Sequence, residues 1–389
     1  MKKAIIIFLL SLTLIIPTTV SACTGFTATE DNLVLMGNNE DWYDPDPYIR
    51  VHPAQQGRHG RLFIEFQWPP DNPSYFVPFT GINDQGLCFD SFLHPYKKPV
   101  NSQNKPYFNG DLMAYCLEVC TTIYEVIDIF DQYNLGFMDD FQYFIVDRNG
   151  DSAIIEGDEV IYRQGDYQVV TNFLQSDPDH GWYPCWRYDT AVDMLENMED
   201  LTVEYFTEIC DATHQEGNYP TVYSYVNDLT NNIMYLYHYY NYDKVVILDV
   251  DQEISQGFHE YYLPDLFNHG DNRPPSTPII DGPSSGKPGR MYYYTIIASD
   301  PDGDAISYTI DFGDGTTLEN GPLPPGSDFT VSHMWSKGTY TMKVKASDVY
   351  GAESEWGTLE ISIPRTRFSL QSVFEFIVEH LSFFLRYLT

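Results

Sequence analysis

One cysteine stands where an exported form of this chain would begin. Two lysines, an apolar run over residues 4–16 and the small residues Val20-Ser21-Ala22 precede it, which is the pattern of a secretory signal peptide over residues 1–22. Cleavage there would leave Cys23 first, with a thiol and a free α-amine on one residue. An α-amine has a reference pKa of roughly 7.7–8.0, so near neutral pH it can accept the thiol proton. Cys23 is therefore predicted to be a nucleophile.

The residues around the cleavage site also allow two other interpretations. Val20-Ser21-Ala22-Cys23 fits the small-residue box that precedes a lipidated cysteine. Lipid on the sulfur would block nucleophilic attack and tie the chain to a membrane. In the second interpretation, the cleavage site falls by coincidence beside a structural cysteine. The cysteine alone does not decide between these alternatives, so the residues that follow it must.

A second motif follows the predicted strand Leu33–Met36. Cys23-Thr24-Gly25-Phe26 and Gly37-Asn38-Asn39-Glu40-Asp41 resemble the motifs C-T-x-F and G-R-N-x-D of the linear amide C–N hydrolases. These belong to the N-terminal-nucleophile (Ntn) superfamily and include choloylglycine hydrolases and penicillin V acylases. The resemblance implies that Cys23 is the nucleophile and that Asp41 lies beside its amine, which it orients.

Further along the chain, two turns and a strand end resemble the same family. Gly81–Leu87 is similar to its G-x-N-x-x-G-L turn, and Asp147–Glu156 to its D-x-x-G-x-x-x-x-x-E hairpin. Val169-Val170-Thr171-Asn172 is similar to its V-x-T-N strand end, which implies that the Asn172 amide donates to the oxyanion. Attack on an amide carbonyl needs such fixed donors. A backbone N–H of Phe92 or Leu93 is the predicted second donor.

An arginine completes the implied site, and an asparagine departs from the family pattern. Cys185–Ala191 resembles the family's arginine-bearing helix start, which implies that Arg187 supports the nucleophile electrostatically. The family frequently has arginine where this chain has Asn38. A guanidinium there would lower the thiol pKa and contact a substrate carboxylate, so Asn38 argues against bile-salt or penicillin specificity.

The resemblance implies a hydrolase that cleaves a linear, non-peptide amide through a thioester acyl-enzyme. Its partner would be a small-molecule acyl amide, and no cofactor is implied. An acyltransferase or a dipeptidase of the same superfamily is the second alternative. The rival from another class is a cell-surface adhesion or scaffold protein with an inactive Ntn-like domain, with or without a lipid anchor on Cys23.

Strand-like and helical segments alternate over residues 23–266, the predicted catalytic domain. Helical periodicity covers residues 110–133, 187–198 and 203–212, with strand patterns between and after them. We therefore expect an α+β domain, and the family resemblance implies the αββα sandwich of the Ntn hydrolases. Residues 267–277 are rich in Pro, Gly, Asn and Ser, which is typical of a linker.

Short alternating strands fill residues 278–364 and predict a small β-sandwich. Ile310–Thr316, His333-Met334-Trp335 and Gly338-Thr339-Tyr340 resemble a PKD domain, an Ig-like sandwich of secreted proteins. The resemblance implies a spacer or a surface that contacts cell-surface components. Asp300, Asp302 and Asp304 have the oxygen spacing of a Ca²⁺ site, but the tight turns of this fold favour Asp and Gly in any case.

The C-terminal segment and the net charge of the chain bear on where the protein is located. Residues 365–389 have apolar residues at three- and four-residue steps, which predicts an amphipathic C-terminal helix. The formal charge is −35, and loss of the leader lowers it by a further two. Such a surface repels nucleic acid and anionic lipid. We therefore expect a secreted or extracellular protein, with retention at the cell surface and an oligomer as further alternatives.

Overall fold

Antiparallel strands make up most of the backbone. The computed structural model describes residues 23–43, 46–67, 76–98, 100, 104–179, 183–217, 219–267, 270 and 272–364. The expected signal peptide and C-terminal helix lie outside the described residues, so both stay predictions, as do the domain boundaries. No helix within the described ranges is long and apolar enough to cross a membrane.

Residues 23–267, the first region, form two antiparallel sheets. In chain order their strands are β1 Thr24–Glu30, β2 Leu33–Asp41, β3 Tyr48–His52, β4 Arg61–Gln67, β5 Phe76–Asn83, β6 Cys88–Leu93, β7 Phe141–Val146, β8 Ser152–Glu156, β9 Glu159–Tyr162, β10 Tyr167–Val170, β11 Thr221–Asp228, β12 Ile233–His238, β13 Val246–Asp249 and β14 His259–Tyr262. The six-stranded sheet has the order β10-β1-β2-β11-β12-β13, and the eight-stranded sheet has the order β14-β3-β4-β5-β6-β7-β8-β9.

Five short α-helices accompany these sheets. They are α1 Leu112–Val119, α2 Ile123–Phe130, α3 Trp186–Glu196, α4 Val203–Thr213 and α5 Val250–Ser255. The single helix predicted over residues 110–133 is wrong, because the chain extends at Cys120 and α2 begins anew after Thr122. The Thr122 hydroxyl and the Glu125 carboxylate cap each other's backbone N–H groups. That capping box is a sequence signal for a helix start.

Strand alternation divides the apolar side chains between the two faces of each sheet. On β4, Leu62, Ile64 and Phe66 enter a core shared by both sheets, while Phe63 faces α1 and α2. On β2, Met36 likewise enters the shared core and Leu35 faces α3 and α4. The two sheets therefore pack directly on each other, α1 to α4 pack on their other faces, and α5 contributes Val250 and Ile254 to the shared core.

Residues 279–363, the second region, form a separate β-sandwich. Its strands are β15 Ile279–Asp281, β16 Met291–Ile297, β17 Ile306–Asp311, β18 Thr317–Leu323, β19 Asp328–Met334, β20 Gly338–Asp348 and β21 Gly357–Ile363. They make a three-stranded sheet, β15-β16-β19, and a four-stranded sheet, β18-β17-β20-β21. Tyr294, Tyr308 and Trp335 are almost fully buried between the sheets.

The expected fold class, an α+β Ntn-hydrolase αββα sandwich, is wrong. Strands account for 42% of the structure and helices for 16%, so the protein is mainly β. The physical reason is helix length: the longest α-helices, α3 and α4, have 11 residues each. Helices this short bury one narrow stripe each, and the strands supply most of the core.

Candidate functional site

The register of one hairpin brings Cys23 to its neighbours. Two residues join β1 to β2, and Asp31 adopts the left-handed conformation there, with a φ of 52°, which Asp tolerates better than most residues. The antiparallel ladder then carries Cys23 to the position opposite Glu40. The spacing of 18 residues between Cys23 and Asp41 is therefore the return path of a tight hairpin.

The Cys23 thiol is buried among acidic groups. Sγ donates to Glu40 Oε1 at 3.3 Å and approaches the backbone carbonyl of Asp41 at 4.0 Å. Burial raises the pKa of the thiol well above its usual value, and the nearby Glu40 and Asp41 carboxyls raise it further. In the uncleaved chain, this thiol therefore needs a base or a positive charge before it can react.

Asp41 forms a buried ion pair with Arg187. Arg187 Nη1 donates to Asp41 Oδ2 at 2.6 Å, and both side chains are almost fully buried. The Thr221 hydroxyl donates to Asp41 Oδ1, and Gln215 Oε1 accepts from the guanidinium at 3.2 Å. Burial raises the Asp41 pKa to about 7, although Arg187 and Thr221 oppose the rise. Arg187 thus contacts the site through its ion pair with Asp41, and both catalytic assignments stay predictions.

Asn172 lies in the same pocket as the thiol. Its Nδ2 donates to the Leu93 carbonyl at 2.6 Å, and its Oδ1 is buried without a hydrogen bond among the described residues. A side-chain amide carries two N–H bonds, so the bond to Leu93 fixes its orientation and leaves a second donor. Leu93 lines the pocket, whereas Phe92 is buried in the core between the sheets. The oxyanion roles stay predictions.

A small, mostly apolar cavity opens above Cys23. It encloses about 140 Å³, close to the roughly 150 Å³ of an apolar cavity that holds benzene. Two carboxyls and no lysine or arginine are found among the described lining residues, which are Cys23, Glu40, Trp42, Val77, Pro78, Phe79, Ser91, Leu93, Asp111, Phe141, Tyr143 and Asn172. The cavity therefore fits a compact apolar group better than an anion.

Two buried carboxyls near the thiol were not among the predicted site residues. Glu40 and Asp90 are both fully buried. Asp90 accepts from Tyr225 Oη at 2.7 Å and from the Ser91 backbone N–H at 2.7 Å, and burial raises its pKa to about 8. Glu40 stood inside the quoted motif, and the hairpin spacing could have revealed that it faces the cysteine. Asp90 offered only a weaker signal, an acid within an apolar strand.

The ligand atoms of Asp300, Asp302 and Asp304 lie within 4.8 Å of one another, as the Ca²⁺ alternative requires. However, protein cations already contact two of these carboxylates. Arg273 Nη2 donates to Asp302 at 2.7 Å, and Lys244 Nζ donates to Asp304 at 2.8 Å. Asp300 Oδ1 accepts the backbone N–H groups of the other two aspartates. The donor set fits a turn held by protein cations better than an ion site, so we propose no metal here.

Comparison with known proteins identifies the second region. The PKD domain family matches residues 280–361. The chain therefore carries a PKD domain, an Ig-like β-sandwich, and the prediction for this segment is confirmed at the level of the family. No curated protein matches the chain.

Several solved structures are similar to parts of the chain. The PKD domain of an M14-like peptidase from Thermoplasmatales archaeon SCGC AB-540-F20 is 46% identical, with 24% of this chain and 99% of that domain covered and a TM-score of 0.24. The PKD domain of the human VPS10 domain-containing receptor SorCS2 is 19% identical, covering 25% of this chain and 80% of that chain, with a TM-score of 0.20. Fibronectin(III)-like modules of Clostridium thermocellum CbhA are 14% identical, covering 38% and 65%, with a TM-score of 0.21. Neither these structures nor the family match supports the Ntn-hydrolase expectation.

Proposed function

We propose that the chain is an exported hydrolase that cleaves a linear amide with Cys23 after residues 1–22 are removed. The observation that carries the proposal is the position of the Cys23 thiol. It lines a partly open, mostly apolar cavity together with a carboxamide and two carboxyls, next to a buried ion pair. The motif resemblance of residues 23–41 to linear amide C–N hydrolases supports the same chemistry, independently of fold.

Cleavage would change the electrostatics around the thiol. The new α-amine is attached to the Cα of Cys23, so it must lie within a few ångströms of Sγ. Its reference pKa of roughly 7.7–8.0 allows it to accept the thiol proton near neutral pH. As an ammonium it would oppose the carboxyls that raise the thiol pKa in the uncleaved chain. Maturation would thereby activate the nucleophile.

The proposed reaction has two steps. The α-amine takes the Sγ proton while Sγ bonds to the amide carbonyl carbon, and the second N–H of Asn172 donates to the oxyanion. The C–N bond then breaks as an acid in the site gives the leaving nitrogen a proton, which leaves a thioester on Cys23. Water attacks the thioester and gives a proton to the conjugate base of that acid, the C–S bond breaks, and the thiolate recovers its proton from the α-ammonium. The products are a carboxylic acid and an amine.

The cavity limits the proposed substrate. An apolar acyl group of about ring size fits its volume, and the lining offers no cation to hold a substrate carboxylate. Asn38, which stands where the family often has arginine, is itself fully buried in β2. The negative charge of the chain, −35, further disfavours nucleic acid and anionic lipid as partners. A neutral small-molecule amide is the partner that these features favour.

Two measurements on secreted protein test the proposal. N-terminal sequencing and intact mass should give a chain that begins with an unmodified Cys23 amine. That chain should hydrolyse members of a panel of acyl amides, and Cys23→Ala should abolish turnover. Cys116→Ala is the matched control, because that thiol lies on α1, is fully buried and is not among the described lining residues of the cavity. A different N-terminus, a lipidated Cys23, or full turnover in Cys23→Ala would overturn the proposal.

The PKD domain favours one second candidate, a cell-surface adhesion or scaffold protein. In that case the second region would supply the function, and the buried, acid-flanked thiol would stay inert. Lipidated Cys23 together with no turnover of any amide would support this candidate. Cys23-dependent turnover by exported protein would leave the PKD domain as an accessory to an enzyme.

A further inference from the structure

We infer that Glu40 is a further catalytic residue, the acid that gives a proton to the leaving nitrogen. This inference rests on the proposed function and assigns one of its steps. Glu40 is the one carboxyl that both contacts Sγ and lines the cavity among the described residues. The other buried carboxyls near the thiol are engaged elsewhere, Asp41 with Arg187 and Asp90 with Tyr225.

The two oxygens of Glu40 have different surroundings. Oε1 accepts from Sγ at 3.3 Å, while Oε2 is buried and makes no hydrogen bond within the described residues. A buried polar atom without a partner is costly, and this one belongs to a side chain that lines the cavity. The scissile nitrogen must lie next to Sγ once the thiol attacks. A hydrogen bond from protonated Oε2 to that nitrogen would give both the buried oxygen and the nitrogen a partner.

The charges around Glu40 favour its protonated form. Burial raises its pKa well above the usual value, and the neighbouring Asp90 carboxyl raises it further. The Cys23 thiol and the nearby Asn38 amide act in the opposite direction, and Asp41 adds to the rise. Tyr223 also faces this cluster, and its own pKa is raised by burial and by Glu40. A carboxyl kept neutral in an apolar site is the usual design of a general acid.

The proton balance of the cycle closes with Glu40 in this role. The α-amine takes the Sγ proton, and the Glu40 carboxylic acid protonates the nitrogen as the C–N bond breaks. During deacylation the Glu40 carboxylate takes a proton from the attacking water, so the acid is restored. The C–S bond then breaks, and the thiolate recovers its proton from the ammonium. One amide and one water give one acid and one amine.

Leaving-group dependence tests this assignment. Mature Glu40→Gln protein is compared with wild type on an alkyl amide and a 4-nitrophenyl ester that share one acyl group. Alkyl amines leave only when protonated, whereas 4-nitrophenolate leaves without a proton. We expect kcat/KM for the amide to fall about 10²–10⁴-fold, the usual contribution of an acid or base, and kcat/KM for the ester to fall much less. Equal losses on both substrates would overturn the inference.

Asp111→Asn is the matched control. Asp111 also places a carboxyl in the cavity, but it caps α1 by accepting from the Ala114 N–H, and asparagine can cap in the same way. Its losses should be equal on amide and ester. If wild type hydrolyses neither substrate, or if Cys23→Ala still hydrolyses both, the proposed function itself fails. If the ester reacts through Cys23 while Glu40→Gln loses both activities equally, only the role of Glu40 fails.

A second measurement needs no variant, so it holds even if Glu40→Gln does not fold. Wild-type kcat/KM is measured on a series of amides with one acyl group and amines of different basicity. An acid that protonates the departing nitrogen makes the rate depend only weakly on amine basicity. A steep rise toward the less basic amines would overturn the inference.

Discussion

The two regions bury acidic side chains for different reasons. In the second region, Asp348 is buried because its Oδ1 accepts the backbone N–H groups of Tyr350 and Ala352 and so holds a turn. In the first region, Glu40 and Asp41 are buried beside a thiol and a cavity. Asp348 thus satisfies backbone N–H groups, whereas Asp41 raises the pKa of Glu40 and itself pairs with Arg187.

This difference distinguishes buried polar groups that hold a turn from buried polar groups that line a candidate site. Burying a carboxyl without compensation is costly, so a fold that needs only turns places its acids as Asp348 is placed. The first region keeps Glu40 Oε2 and Asn172 Oδ1 buried without hydrogen bonds among the described residues, on side chains that line one cavity. The corresponding oxygens in the second region, Asp300 Oδ2 and Asp304 Oδ2, lie instead in a turn that Lys244 contacts. Polar atoms left unsatisfied around a nucleophile are expected where a ligand completes them.

The largest effect should follow from the loss of Arg187, which couples stability to activity. Arg187→Met leaves the Asp41 carboxylate buried without its ion-pair partner. Breaking such a pair typically costs about 3–5 kcal/mol, and the carboxyl beside Cys23 would lose its orientation. We expect a lower midpoint of urea unfolding for the first region together with a fall in kcat/KM. Retained stability and activity would show that the ion pair has no special role.

Loss of Trp335 should also lower stability, but it should leave catalysis unchanged. Its ring is almost fully buried in the second sandwich, and its indole N–H donates to the Phe312 carbonyl at 3.1 Å. Trp335→Ala should destabilise the second region by about 3–5 kcal/mol, measured by calorimetry. Amide turnover by the first region should stay within error of wild type. A matching loss of turnover would mean that the two regions depend on each other.

The contrast between the regions also shows what sequence reasoning could reach. The strand predicted over Leu33–Met36 lies within β2, and the PKD motifs were predicted correctly. The motif resemblance implied that Asp41 lies beside Cys23, and the structure brings both to one hairpin. Sequence patterns did not show that strands supply most of the core. The hydrophobic period is the same in a short helix as in a long one, so it did not reveal how short the helices are. The fold class was wrong for that reason.

Side-chain partners were the part of the site that the sequence could not supply. Arg187 was predicted to act on the nucleophile, yet it bonds to Asp41 across 146 residues of chain. Asn172 was predicted as a donor, and its contact with Leu93 depends on how β6 lies beside the end of β10. Such contacts follow from sheet order and packing, which one sequence does not encode in any local pattern.

A smaller effect should appear as a pH dependence confined to the first region. The Asp90 pKa is raised by burial to about 8 in the folded state, from an ordinary value near 4. Between those values the folded state holds a proton that the unfolded chain releases, so stability falls as pH rises. Asp41, with a pKa of about 7, acts in the same direction. Asp90→Asn should flatten the fall in urea unfolding free energy between pH 5 and 8, and an unchanged slope would contradict this.

The smallest effect should come from the ion pair that joins the two regions. Lys244 Nζ donates to Asp304 Oδ1 at 2.8 Å, and the Asn241 amide donates to the same oxygen at 3.1 Å. Lys244 is partly exposed, and after Lys244→Met the Asn241 amide still donates to the buried Asp304 oxygen, so the substitution should cost about 1 kcal/mol. Because the contact crosses the boundary, the loss should appear as a wider separation of the two calorimetric transitions, with amide turnover unchanged. Transitions that stay at the wild-type separation would show that the regions unfold without help from this contact.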